Sequence, residues 1–175
     1  MLPKKLYNLL VIIFPFIYLL HNAEEWFVFS CKSSFILSYI QAGIKVISSI
    51  NPEILSMAFG VALIFTTIIP IVVTLIIWRN TTPLNIMILL VIAFVTLTNA
   101  VSHITTSIFL GFLAPGLITG LILCLPYSIA VIHFIRKYNV YTMRQYLFFC
   151  CSSVAIYVFG VALSWLIGLL IISIF

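Results

Sequence analysis

Charge is what this chain has least of. Among 175 residues only three are acidic and eight are Lys or Arg, so charged residues make up 6% of the sequence against 65% hydrophobic ones. That composition cannot build a soluble surface. It excludes a soluble globular domain and reads as an integral membrane protein, a single domain over residues 1–175 with almost no extramembrane part. The net charge of +5 does not signal a nucleic-acid partner, because the basic residues are scattered at the ends of apolar runs, where they anchor topology. Cysteine is sparse as well. Cys31, Cys124, Cys150 and Cys151 show no CxxC spacing, which argues against a disulfide framework and leaves buried free thiols as the expectation. Also missing is a small-residue cleavage site. The N-terminal apolar run ends in His21-Asn22-Ala23-Glu24-Glu25, so it is expected to stay as a span rather than act as a signal peptide.

What is present is long hydrophobic runs. A spanning helix needs about 20 apolar residues, and five such runs nearly exhaust the chain: residues 6–29, 53–78, 84–110, from Pro115-Gly116 to Phe134, and from Arg144 to Phe175. Pro15, Pro70 and Pro126 fall inside spans and are expected to kink them. The expected fold is an all-α, polytopic membrane bundle of five transmembrane helices. Between the first two spans, Phe35, Ile36, Tyr39, Ile40, Ile44 and Ile47 recur at three- and four-residue steps among Ser and Lys. This stretch reads as an amphipathic interfacial helix, a surface connector or a lid over the outer side. Asn51-Pro52-Glu53 reads as a helix start. Lys4, Lys5, Arg79, Arg136, Lys137 and Arg144 fall on one side of a five-span topology and Lys32 and Lys45 on the other, which predicts N-inside and C-outside. Trp26 and Trp165 are placed near the outer interface and Trp78 near the inner one. His133, beside Arg136 and Lys137, reads as an inner-surface residue, and Gly116-x-x-x-Gly120 as a small-residue face for close helix packing.

Two of the three acidic residues sit inside the first span. His21, Glu24 and Glu25 stand at i, i+3 and i+4 and therefore share one helical face. At about 1.5 Å per residue, His21 lies about 22 Å above Leu6, with the glutamates about 27–28 Å up. The third span rises in the same direction. Asn99 and His103, at i and i+4, lie about 20 and about 26 Å above Ile86. Two helices thus carry polar faces at matching heights, and Thr119 at the start of the fourth span faces the same level.

His21-x-x-Glu24-Glu25 resembles the signature of the HXXEE domain family, small bacterial membrane proteins of unknown function. Asn99-Ala100-Val101-Ser102-His103 is similar to a second motif of that family, Asn-x-x-x-His. Leu113-Ala114-Pro115-Gly116 is similar to a third, Tyr-x-Pro-Gly, with Leu113 in the place of the Tyr. The resemblance spans nearly the whole chain. It implies a bacterial inner or plasma membrane location and a single site comprising His21, Glu24, Glu25, Asn99 and His103, and it supplies no activity.

Carboxylates near hydrocarbon are costly unless paired or neutralised. A divalent metal ion, zinc or iron, bound by His21, His103 and one of the two glutamates, with Glu25 taken into the ligand set, is one solution. The candidate catalytic groups are then Glu24, Glu25 and Asn99, as general base or as ligand-orienting groups. The expected substrate is a lipid or lipid-like small molecule reaching an outer-side pocket from the bilayer. A metal-free Glu/His pair that moves a proton, as an isomerase of an apolar substrate would, is the alternative. Proton- or ion-coupled transport ranks below both, because the chain shows no internal repeat, although a homo-oligomer can supply a second half. A subunit role in a larger membrane complex stays open as well. The plain competing view has Glu24 and Glu25 reaching to interfacial water and His21 pairing with Glu25 along its helix. The matched polar face on the third span argues against it.

Overall fold

Proline and polar caps set the helix boundaries. Pro52 occupies the first turn of the second helix, and the N-cap Asn51 accepts a hydrogen bond from the Glu53 N–H at 2.9 Å. Pro83 does the same for the third helix, with Thr82 accepting from the Asn85 N–H. Such starts satisfy donors that the helix itself cannot pair. The computed structural model describes residues 3–43 and 51–174. Five helices long and apolar enough to cross a membrane follow one another: α1 (Lys4–Gly43), α2 (Pro52–Ile77), α3 (Pro83–Leu110), α4 (Leu117–Lys137) and α5 (Met143–Ile174). Among the described residues there is no strand. The chain is a multi-pass, all-helical membrane protein, as its apolar runs predict.

The first span departs from expectation. No break follows Phe29. The helix runs on through Gly43 and reaches 40 residues, about 60 Å, twice the thickness of a bilayer core. Part of the stretch expected to be a separate interfacial helix is therefore its continuation. Phe35 packs edge-on against Phe112 of the α3–α4 turn at 5.0 Å, and Ile36 is buried beside Phe29, Leu55, Phe59 and Leu63. Ile44, Lys45 and Ile47 of the expected element lie outside the described residues. Pro15 does not end α1 either. A proline leaves the carbonyl four residues earlier without its helical donor, and Thr74 of α2 donates to that Val11 carbonyl at 3.2 Å.

The helices close a ring: α1 packs on α2, α2 on α5, α5 on α3, α3 on α4, and the first turns of α4 reach back to α1. Asn22 fastens α1 to α2 by sharing its amide among Thr66 Oγ1, Thr67 Oγ1 and the Leu63 carbonyl. Gly168 brings α5 onto α2 so closely that a Cβ there would collide with the Ala58 carbonyl. At the end of the bundle that holds the N-terminus of α1, a core of Tyr7, Val11, Phe14, Leu89, Leu90 and Val131 joins α1, α3 and α4. Tyr127 crosses from α4 to donate to the Leu10 carbonyl at 3.0 Å. Trp165 stacks on Phe59 at 5.1 Å. All four cysteines are free, as expected, but only Cys124 is buried. Cys31 and Cys151 sit on outward faces, where apolar surroundings cost a thiol little.

Candidate metal and polar site

The polar residues of α1 and α3 meet through side chains rather than along a packed backbone seam. His21 is fully buried and His103 nearly so. Their imidazole rings stand edge to face, with centroids 5.0 Å apart. Both oxygens of Glu25 look at this pair, Oε2 at 3.7 Å from His21 Nε2 and Oε1 at 3.9 Å from His103 Nε2. The His21, Glu25 and His103 ligand atoms all lie within 4.8 Å of one another. Around a tetrahedral ion with bonds near 2.1 Å, neighbouring ligand atoms stand about 3.4 Å apart, so the three ligand atoms, one from each residue and within 4.8 Å of one another, would have to draw together by up to about 1.4 Å. His103 Nε2 is buried with no hydrogen-bond partner. Buried nitrogen lone pairs are rarely left so.

The surroundings set which ring nitrogen faces the cluster. His21 Nδ1 lies 2.9 Å from Thr119 Oγ1. The Thr119 hydroxyl itself donates to Glu24 Oε2, so it receives the Nδ1–H of His21 and leaves His21 Nε2 as an acceptor. Asn99 Nδ2 lies 3.1 Å from that Nε2. On His103 the Pro115 backbone meets the imidazole. A proline offers only its carbonyl as a hydrogen-bonding group. Fixing the tautomer through the other ring nitrogen is how metal-binding histidines are usually oriented.

The two glutamates part company. Glu24 lies at the N-terminus of α4, where the backbone N–H groups of Ile118 and Thr119 donate to its Oε1 and Oε2 at 3.3 and 2.8 Å. A carboxylate suits the positive end of a helix. Its acceptor sites are thereby turned to α4, away from the cluster that Glu25 faces. Gly116, just before α4, has φ 78°. A Cβ there would stand 2.8 Å from Cε1 of both His21 and His103. It is therefore the roof over the two imidazoles and not the helix-packing residue expected of a Gly-x-x-x-Gly face. Gly120 does lie in that face, 3.8 Å from the Ala100 Cα by the same construction. Past Thr119 the helix widens into a π turn over Gly120–Cys124, with the Leu125 N–H donating to the Gly120 carbonyl. Such turns are frequent at functional sites.

Thr119 faces the site as its height predicts. Tyr157 of α5 was not expected there. Its hydroxyl lies 2.8 Å from Ser102 Oγ and 3.5 Å from Asn99 Oδ1. A signal existed in the sequence, since Ser153, Tyr157 and Ser164 share one helical face by their spacing, but nothing in α5 tells which helix that face meets. Beyond Glu25, Asn99 and Tyr157 a chamber of about 290 Å³ opens between α1, α2, α3 and α5. His133 is exposed near the C-terminal end of α4 and outside the contacts of this site.

The chain matches the family described as "Protein of unknown function with HXXEE motif" over residues 12–131. The match takes in His21, Glu24, Glu25, Asn99, His103 and Gly116. No curated protein and no solved structure matches the chain.

Proposed function

The chain belongs to the HXXEE family of proteins of unknown function, and from that premise we propose that it is a membrane-embedded, metal-dependent enzyme acting on a hydrophobic substrate. The observation that carries this reading is the buried, partnerless Nε2 of His103, turned with His21 Nε2 toward the two oxygens of one carboxylate. Two neutral imidazoles and one carboxylate make a ligand set suited to zinc or non-haem iron, with positions left open for a substrate oxygen. A divalent ion held by His21, Glu25 and His103 would supply Lewis-acid chemistry. Thr119 orients the His21 ring, and Glu24 holds Thr119 in place from the helix N-terminus. Asn99 and Tyr157 present hydrogen-bonding groups at the border of the chamber, where they position a substrate oxygen. The apolar walls keep bulk water from the reacting end.

One observation favours the metal-free acid–base alternative. The Asn99 amide already occupies the lone pair of His21 Nε2 at 3.1 Å, the atom an ion would take, so metal binding requires that amide to swing away.

The deciding measurement is the metal content of protein purified from membranes, stripped and reloaded with zinc or iron(II). One ion per chain is expected, with near-complete loss in both His21→Ala and His103→Ala. A folded wild-type sample that takes up no ion sinks the metal reading and leaves proton transfer between Glu25 and the histidines. Proton flux in liposomes would point to transport instead.

A further inference from the structure

The chamber beside the polar cluster has a shape and a chemistry of its own. Its long axis follows α1 from Phe14 to Glu25, about 16 Å of helix rise. Its volume of about 290 Å³ is at the lower end of the range of about 300–1,000 Å³ that holds drug-sized ligands. Its length suits an extended chain lying along α1. The end nearer the N-terminus of α1 is apolar, with Phe14, Ile69, Val73 and Val91. The other end gathers Glu25, Asn99 and Tyr157, and Glu25 has no hydrogen bond among the described contacts other than its approach to the histidines.

Charge narrows the ligand further. No Lys or Arg is among the described residues lining the chamber, and its one ionisable acid is Glu25. Without a bound ion, a phosphate or carboxylate head would meet that glutamate with no cation to offset the repulsion. We propose that the chamber binds an amphiphile with an extended apolar tail, in the ion-free protein an alcohol or carbonyl compound rather than an anion, with its oxygen at Glu25, Asn99 and Tyr157 and its tail running toward Phe14 and Val73. This deepens the enzymatic reading and rests on it for the chemistry at the oxygen end.

Gly160 provides the test. It lines the chamber, and a Cβ built on it meets nothing within 4 Å. Gly160→Leu therefore fills the space from α5 without touching His21, Glu25 or His103, and it replaces a poor helix former by a good one. The probe is a diazirine-bearing dodecan-1-ol added to protein in nanodiscs, cross-linked by light and mapped by peptide mass spectrometry. Metal content and unfolding temperature are measured on the same samples.

In the ion-stripped wild type the label is expected on the α2 and α5 segments that line the chamber, and dodecan-1-ol should compete at least about tenfold better than dodecanoate. Gly160→Leu should cut the labelling by about tenfold or more, and Gly160→Val by less, with metal content unchanged and the unfolding temperature no lower in both. Labelling that survives Gly160→Leu, or spreads evenly over lipid-facing residues such as Phe148 and Phe159, overturns the proposal. Equal competition by dodecanoate overturns its uncharged head. Chamber labelling in a wild type that binds no ion would leave this inference standing while the metal reading falls. His21→Ala should lose the ion and keep the label.

Discussion

Gly116 carries two demands at once, and they can be separated. Its φ of 78° strains any L residue, by about 1 kcal/mol. Gly111 has nearly the same backbone, φ 69°, with nothing within 4 Å of a built Cβ. Gly111→Ala should therefore show the strain alone. Gly116→Ala should show the strain and displace both imidazoles, with a larger fall in unfolding temperature and weaker metal binding. Equal effects in the two variants would mean that the roof over His21 and His103 is irrelevant. The adjacent glutamates divide in the same manner. Glu25→Gln should abolish metal uptake. Glu24→Gln still accepts from the α4 N-terminus, and as an outer support it should weaken the affinity by about 10–100-fold. Competition against a chelator of known affinity reads both, and indistinguishable affinities would refute the division. From the chain alone both carboxylates lie on the face of His21, and the choice of Glu25 for the ligand set had no contact behind it. Only the position of the α4 N-terminus tells them apart.

At the scale of helices the sequence was legible nearly to the residue where proline and polar caps mark the ends. The spans expected to start at Glu53 and Leu84 begin at Pro52 and Pro83. It misled at the end of α1. Ser and Lys after Phe29 read as an exit from the membrane, yet nothing there is a helix breaker, and the helix continues on intact hydrogen bonds until Gly43. The two glycines of α5 test how helix contacts are made. Gly168 lies against the Ala58 carbonyl, whereas Gly160 borders open space. Gly168→Val should push α5 off α2 and destabilise the protein by about 1–3 kcal/mol, as overpacking does. Gly160→Ala should be neutral or stabilising by up to about 1 kcal/mol. Denaturation in mixed micelles measures both. Asn22, whose amide ties α1 to three acceptors on α2, should cost about 1–2 kcal/mol as Asn22→Val.

For the whole molecule the ring order α1–α2–α5–α3–α4 matters most, because it puts α5 between α2 and α3 and so gives the chamber its fourth wall. An odd number of crossings puts the two ends of the chain on opposite faces. With six basic residues on the N-terminal side and two on the other, we propose N-inside. Alkaline phosphatase fused after Ile174 should be active and a fusion at Arg79 inactive. The reverse pattern would invert the topology and place the polar site near the inner face.

The sequence by itself determined the five spans, the membrane setting and the matched heights of the His21 and Asn99 faces, because periodicity and helix rise are local properties of a chain. It could not determine which helices are neighbours. That order arises from long-range contacts, the Asn22 clamp, the Gly168 approach and the return of α4 to α1, and only the tertiary structure decided it. The assignment of Glu24 to a helix end, the roofing by Gly116 and the arrival of Tyr157 follow from that order, since each depends on a residue distant in the chain coming within hydrogen-bond or van der Waals reach.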